Sequence, residues 1–193
     1  MPDDDSGTRD RIIKAARPLF AQYGFNGTSI RDITAAAGVS LSAVTYHFTT
    51  KELLYLWILQ TIIGPLGARM EWCMRGDVPP LEKVDRAVRA IFDHIRMNPD
   101  MPHFMIREMA SAGGPSQPVL QTMGRVFPAM TAVIAQGQQE GTIRAGDPML
   151  YVLSAFAQPV YLSLTSKATK VQLDDARIVE HAVAFVRAGM EPR

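Results

Sequence analysis

Cysteine is almost missing from this sequence of 193 residues: Cys73 stands alone, which excludes an intramolecular disulfide and any zinc site built from several thiolates. Its neighbours Trp72 and Met74 mark an apolar helix, so the thiol reads as packing before it reads as a nucleophile or redox sensor. Charge of one sign is missing too. The formal net charge is only +1, so any contact with a polyanion must come from a local patch. Paired carboxylates, metal-spaced histidines, a glycine-rich phosphate loop and a nucleophile elbow are not found, and His47, His94, His103 and His181 are scattered. This argues against an enzyme, and neither a metal nor a cofactor is expected. Long apolar runs are broken as well. Met149 to Leu164 is interrupted by Gln158 and Pro159, too short a stretch for a membrane span. The start, Met1-Pro2-Asp3-Asp4-Asp5, is the reverse of a signal peptide. A cytoplasmic chain with no membrane partner is expected.

What is present is helical periodicity. Apolar residues make up 47% of the chain, enough for a sizeable core, and no sustained strand-type alternation appears, so the predicted fold is all-α. Residues 1–7 read as a frayed acidic tail. A helix from Thr8 places Ile12, Ala16, Leu19, Phe20 and Tyr23 on one face, and Gly24 stops it. Thr28 or Ser29 caps a second short helix through Ala37, with Ile30 and Ile33 inward. Gly38 supplies a turn, Ser40 caps a third helix burying Val44 and Phe48, and Thr50 caps a fourth carrying Leu53, Leu54, Leu56 and Trp57. Gly64-Pro65 either ends the fourth helix or kinks it. Beyond Gly76–Pro80 come five more helices, at about 81–98, 101–112, 117–140, 149–167 and 174–189.

The segment from Ile33 to Phe48 has a helix-turn-helix layout. Small alanines let two helices approach, Gly38 relieves the turn, and the outward positions of the second helix are left to enter a major groove. Over residues 6–57, six cations (Arg9, Arg11, Lys14, Arg17, Arg31, Lys51) face three anions (Asp10, Asp32, Glu52), a local positive excess that favours DNA.

The surroundings make the motif specific. Ile12-Ile13-Lys14-Ala15-Ala16, Phe20, Tyr23-Gly24-Phe25, Thr28-Ser29-Ile30, Ile33, Ala37-Gly38-Val39-Ser40 and His47-Phe48-Thr49-Thr50-Lys51-Glu52-Leu53-Leu54 resemble the N-terminal domain of the TetR (tetracycline-repressor-like) family nearly throughout residues 8–57. The resemblance implies an N-terminal three-helix DNA-binding domain, 8–53, on a C-terminal helical ligand-binding and dimerisation domain, 54–193. It also implies a repressor that leaves a palindromic double-stranded operator when an unidentified small-molecule effector binds. One position departs from the pattern: the family commonly has tyrosine two places before the motif's histidine, where this chain has Thr45, followed by Tyr46.

Candidate DNA contacts are Thr28, Ser40, Ser42, Ala43, Thr45, Tyr46, His47 and Lys51. Ser42, Ala43 and Thr45 lie on the early, outer part of the third helix, where hydroxyls can bond base edges and methyls can pack on thymine. Tyr46 and His47 can donate to phosphates, while Thr28 and Lys51, each at a helix start, would clamp the backbone. Structural alternatives stand beside these: His47 bonding a carbonyl, Tyr46 as a surface residue, Lys51 as solvated.

The body carries many flexible apolar groups. Phe92, Met101, Phe104, Met105, Met109, Phe127, Met130, Phe156 and Tyr161, with Met123 beside them, can line an adaptable pocket or simply fill the core. Pro128 and Pro159 sit inside helices and free the carbonyls of Gly124 and Ala155. Glu108 needs a partner if buried: an arginine across the body, or the polar end of a ligand, for which Arg107 and His94 are also at hand. The eighth helix is apolar nearly all round and needs cover on every side. Met149, Val152, Phe156 and Val160, with Ile178, Ala182, Phe185 and Gly189, are predicted to form the seam of a homodimer. The rival class is a DNA-binding dimer with no ligand at all.

Overall fold

Helix boundaries in the computed structural model, which describes residues 5–168 and 175–192, follow local chemistry closely. Nine helices occur among the described residues: α1 Asp5–Gly27, α2 Ile30–Ala37, α3 Leu41–Phe48, α4 Lys51–Cys73, α5 Pro80–Met97, α6 Met101–Met109, α7 Gln117–Gln139, α8 Pro148–Ala168 and α9 Asp175–Met190. Residues 1–4 of the acidic tail lie outside the described residues, but 5–7 are already helical.

In the head, the cap of α2 is Ser29, whose hydroxyl accepts from the Asp32 N–H while the Asp32 carboxylate accepts from the Ser29 N–H. This reciprocal box is worth about 1 kcal/mol. Gly38, at φ 64 and ψ 39, donates its N–H to the Thr34 carbonyl and lets the chain turn into α3. Ser40 and Thr50 then cap α3 and α4 through the N–H groups of Ala43 and Leu53. The step between α3 and α4 is one residue of unusual backbone. Thr49 has φ 56 and ψ −52, and the Thr50 N–H donates to the Phe48 carbonyl across it, which is a γ-turn of the strained hand. A β-branched residue is a poor occupant of that conformation. Thr49→Gly is therefore expected to raise stability by about 1 kcal/mol, read as a higher melting temperature; an unchanged or lower one would show that the turn stores no strain.

Ile12, Ala16 and Phe20 of α1 close the head's core on Ile33, Val44 and Phe48, all buried. Tyr23, expected on that inner face, is half exposed instead, because helical geometry ends just beyond it. Gly24 has φ 75 and ψ 176, a region in effect reserved for glycine, so the tyrosine ring leaves the buried stripe.

The fourth helix runs on through Gly64-Pro65, which settles the alternative left by the sequence. Pro65 has no N–H for the Thr61 carbonyl. Next to that gap His94 of α5 is buried, its Nε2 donating to the Ile62 carbonyl at 2.7 Å. Burial lowers the His94 pKa below its usual value, and Arg69 and Arg17 push the same way. By length and composition α4 could cross a membrane. Here Ile58, Leu59 and Ile62 are fully buried, and the helix forms the body's core against α5 and α7.

Candidate functional site

The third helix presents its early turn outward. Ser40, Ser42, Thr45 and Tyr46 are exposed, and Ala43 and His47 half-buried. Val44 and Phe48 hold the opposite face in the core. Hydroxyl commitments differ along it. Ser40 Oγ caps the helix and lies 2.8 Å from Ser42 Oγ, while the Thr45 hydroxyl donates back to the Leu41 carbonyl at 3.1 Å. The Thr45 side chain is therefore left with an acceptor and a methyl to present, and Ser42 keeps more freedom. Leu41, 60% exposed at the first turn, was not singled out from sequence. Its signal is an apolar residue directly after an N-cap, one turn ahead of Val44 and so beyond the buried end of that stripe.

Two expected backbone clamps have other partners. Thr28 is buried, and its hydroxyl donates to the Gly24 carbonyl at 2.9 Å, so no hydroxyl remains for a phosphate. Lys51 Nζ donates to the carbonyls of Phe25 and Thr28 at 2.8 and 2.9 Å and sits over the Phe25 ring. Both carbonyls lie between the Gly24 break and the N-cap of α2, and the ammonium collects them. The positive patch is thinner than a count of cations implies. Arg9 lies over the Trp57 ring and Arg17 is tied to Asp100 at 2.6 Å. Lys14 and Arg31 are exposed.

The body holds an apolar cavity of about 230 Å³ between α4, α6, α7 and α8. Met101, Met105, Met109, Phe127 and Phe156 line it, as predicted for the pocket, and so does Met123. The other predicted members do not. Phe104 and Met130 are fully buried in solid core, Phe92 packs away from the cavity beside Ile178, and Tyr161 is 64% exposed. Sequence reasoning missed Ile63, Leu66 and Met70 of α4, and Val119, Thr122 and Val126 of α7. Their aliphatic spacing shows a buried face but not which helix faces which.

Glu108 is buried without an arginine and away from the cavity. The Tyr55 hydroxyl donates to its Oε1 and the Ser116 N–H to its Oε2, both at 2.7 Å. Burial, with the carboxylate second, raises the Tyr55 pKa well above the phenol range. Arg107 donates to the Gln22 carbonyl at 2.7 Å, and His94 is taken by Ile62, so none of the three supplies a polar end to the cavity. These bonds make α6 a bracket. One side faces the cavity; the other is tied to α1 of the head through Asp100–Arg17 and Arg107–Gln22, and to α4 through Glu108–Tyr55, whose ring packs on Phe20 and Phe25.

Comparison with known proteins decides the lineage. Residues 12–57 match bacterial regulatory proteins of the tetR family, and residues 80–182, more than half the chain, match the tetracyclin repressor-like C-terminal domain. The chain belongs to the TetR family. It is similar to the HTH-type transcriptional regulator RutR of Escherichia coli, 26% identical over 97% of this chain and 92% of that protein. The fold is shared with the ketosteroid transcriptional regulator KstR2 of Mycobacterium tuberculosis (TM-score 0.80, 20% identity, 96% of this chain and 95% of that one). It is shared also with a TetR family regulator from Marinobacter aquaeolei (TM-score 0.79, 20% identity, both chains fully covered). A TetR-family chain is an all-helical, DNA-binding transcriptional regulator and not an enzyme.

In this TetR-family chain the residues predicted for the seam divide between buried and exposed positions. Val152, Ile178 and Ala182 are buried within the chain itself, Phe156 and Val160 turn toward the cavity, and Gly189 is half-buried. The exposed residues of α8 include Met149, Leu150, Leu153, Ala157 and Tyr161, of which Leu153 and Ala157 also border the cavity, and those of α9 include His181, Ala184, Phe185 and Ala188. Of the predicted seam only Met149 and Phe185 are truly exposed. A helix apolar on every side gives periodicity no face to prefer.

Proposed function

We propose that this regulator is a homodimeric repressor, with a head of residues 8–53 and a body of 54–193, that binds a palindromic operator and leaves it when a small apolar molecule fills the body. The carrying observation is α6, whose cavity-facing side and head-tied side belong to one nine-residue helix. A molecule in the cavity that favours one position of α6 biases the head with it, provided it binds the two positions unequally. Dimerisation through the exposed residues of α8 and α9 would set two copies of α3 about one DNA turn, or a multiple of it, apart.

At the DNA, Ser42, Thr45, Ala43 and Leu41 face base edges, Ser40 and the early amides of α3 approach the backbone, and Tyr46, His47 and Arg31 reach phosphates. Ser42→Ala is expected to relax preference at one position per half-site by roughly 1–3 kcal/mol. Tyr46→Ala should weaken binding to all sequences alike without changing its salt dependence, since the lost donor is uncharged. Arg31→Ala should flatten that dependence by about one ion per half-site. Selection from a random library at low salt provides the operator and tests all three, and failure to enrich any sequence would sink the DNA reading. The sensor reading is tested by adding a broad panel of apolar compounds to the operator complex. If none dissociates it, what remains is a dimer that binds DNA irrespective of ligand.

A further inference from the structure

The cavity's chemistry restricts what it can hold. Its wall is built from methionine, aliphatic and phenylalanine side chains, and Thr122 is the single polar residue in it. Among the described residues no charged side chain borders the space. Arg125, which shares an outer groove with Thr122, is paired with Glu71 at 3.5 Å. Thr122 itself is nine-tenths buried. Threonines inside these helices otherwise donate back to a carbonyl one turn earlier, as Thr131 does to Phe127 and Thr165 to Tyr161. Thr122 makes no such bond among the described residues, but it also borders the outer groove of Gln60, Gln121 and Arg125, and the cavity's own surface is apolar throughout. The rim is apolar as well: Ile106, Met109 and Leu153 are each nearly half exposed there.

From these facts, and resting on the sensor reading above, we propose that the effector is a compact, neutral, hydrocarbon-like molecule: one ring with a short alkyl chain, carrying at most one uncharged hydrogen-bonding group. Charge is excluded by energetics. An ionised carboxylate or ammonium carried into this space would lose its water and find no counter-charge, a cost of several kcal/mol. Size follows from volume. An apolar protein cavity of about 150 Å³ holds benzene, so a cavity of 230 Å³ has room for a ring and a few more carbons. Five of the lining residues, Met70, Met101, Met105, Met109 and Met123, are methionines. Their thioethers repack around different outlines, so a homologous series should bind with gently varying affinity and no sharp optimum. No hydroxyl or amide on the cavity surface answers a ligand's hydrogen-bonding group, so such a group is carried in at a cost.

The test uses the full chain and four probes of matched shape: butylbenzene, 4-butylphenol, 4-butylbenzoate and 4-butylbenzylammonium. Calorimetry should show the two neutral compounds binding and both ions at least 100-fold weaker. Thr122→Val should leave both neutral probes unchanged, because the Thr122 hydroxyl is not presented to the space. Val126→Phe should abolish binding of both neutral probes by filling the space; if that variant fails to fold, Val126→Leu should weaken both. Either ion binding as tightly as butylbenzene overturns the proposed class and leaves the sensor reading standing. Neutral probes that bind, respond to the Val126 variants and yet leave the operator complex intact overturn the sensor reading and leave the class of the site standing. No binding by any probe, or binding indifferent to Val126, overturns the proposal.

Discussion

Glu108→Ala is expected to be among the most damaging single changes outside the apolar core, lowering stability by roughly 3 kcal/mol. The carboxylate answers two donors at once, the Tyr55 hydroxyl and the Ser116 N–H, and alanine would leave both unsatisfied in a region where Glu108 is 5% exposed. Glu108→Gln keeps one oxygen and should cost about half as much. Urea denaturation of the full chain gives the comparison. A Glu108→Ala protein as stable as the parent would mean that water replaces the carboxylate. Neither substitution should alter which apolar probes bind, because Glu108 does not border the cavity.

The second large effect separates two faces of the same pair of helices. Phe185→Glu places a charge on a ring that is 58% exposed in the single chain, so the fold should survive while association fails. Losing the second half-site removes the effective-concentration advantage of bivalent binding, about 10²- to 10⁴-fold in operator affinity. Val152→Glu, fully buried in the chain, should instead unfold the body, since a lone charge there has no partner. Sedimentation and circular dichroism on both proteins decide the matter. A dimeric Phe185→Glu protein would move the seam elsewhere; a well-folded Val152→Glu monomer would restore Val152 to it.

Residues whose role is set within a few positions were legible from the chain. The Gly38 turn and the inward pair Val44 and Phe48 follow from spacing alone, the cap of α2 was narrowed to Thr28 or Ser29, and the outward set Ser42, Thr45 and Tyr46 follows by exclusion. Lys51 was misread for an instructive reason. A lysine at a helix start resembles a phosphate contact, and nothing nearby in sequence announces that the carbonyls of Phe25 and Thr28, between the Gly24 break and the cap of α2, accept from it. Glu108 was correctly expected to need a partner, but its donors are a tyrosine on α4 and a backbone amide eight residues on, and neither carries the charge that guided the search. In the cavity, emphasis on methionine and phenylalanine found the α6 wall and missed α4, because an aliphatic stripe looks alike whether it faces solid protein or empty space. The α8 stripe failed differently, since a helix without a polar side has no phase to read.

The bracket formed by α6 has a mechanical meaning. A helix held to its neighbour at one point can swivel about it, and a push on its far side is lost as rotation. This helix is fastened near both ends, by Asp100 to Arg17 and by Arg107 to the Gln22 carbonyl, anchor points about 10 Å apart at 1.5 Å per residue. With the swivel removed, α6 and the last turns of α1 form a rigid frame. A sideways displacement of one then carries the other as a body, and the head would tilt as a unit without bending along its length.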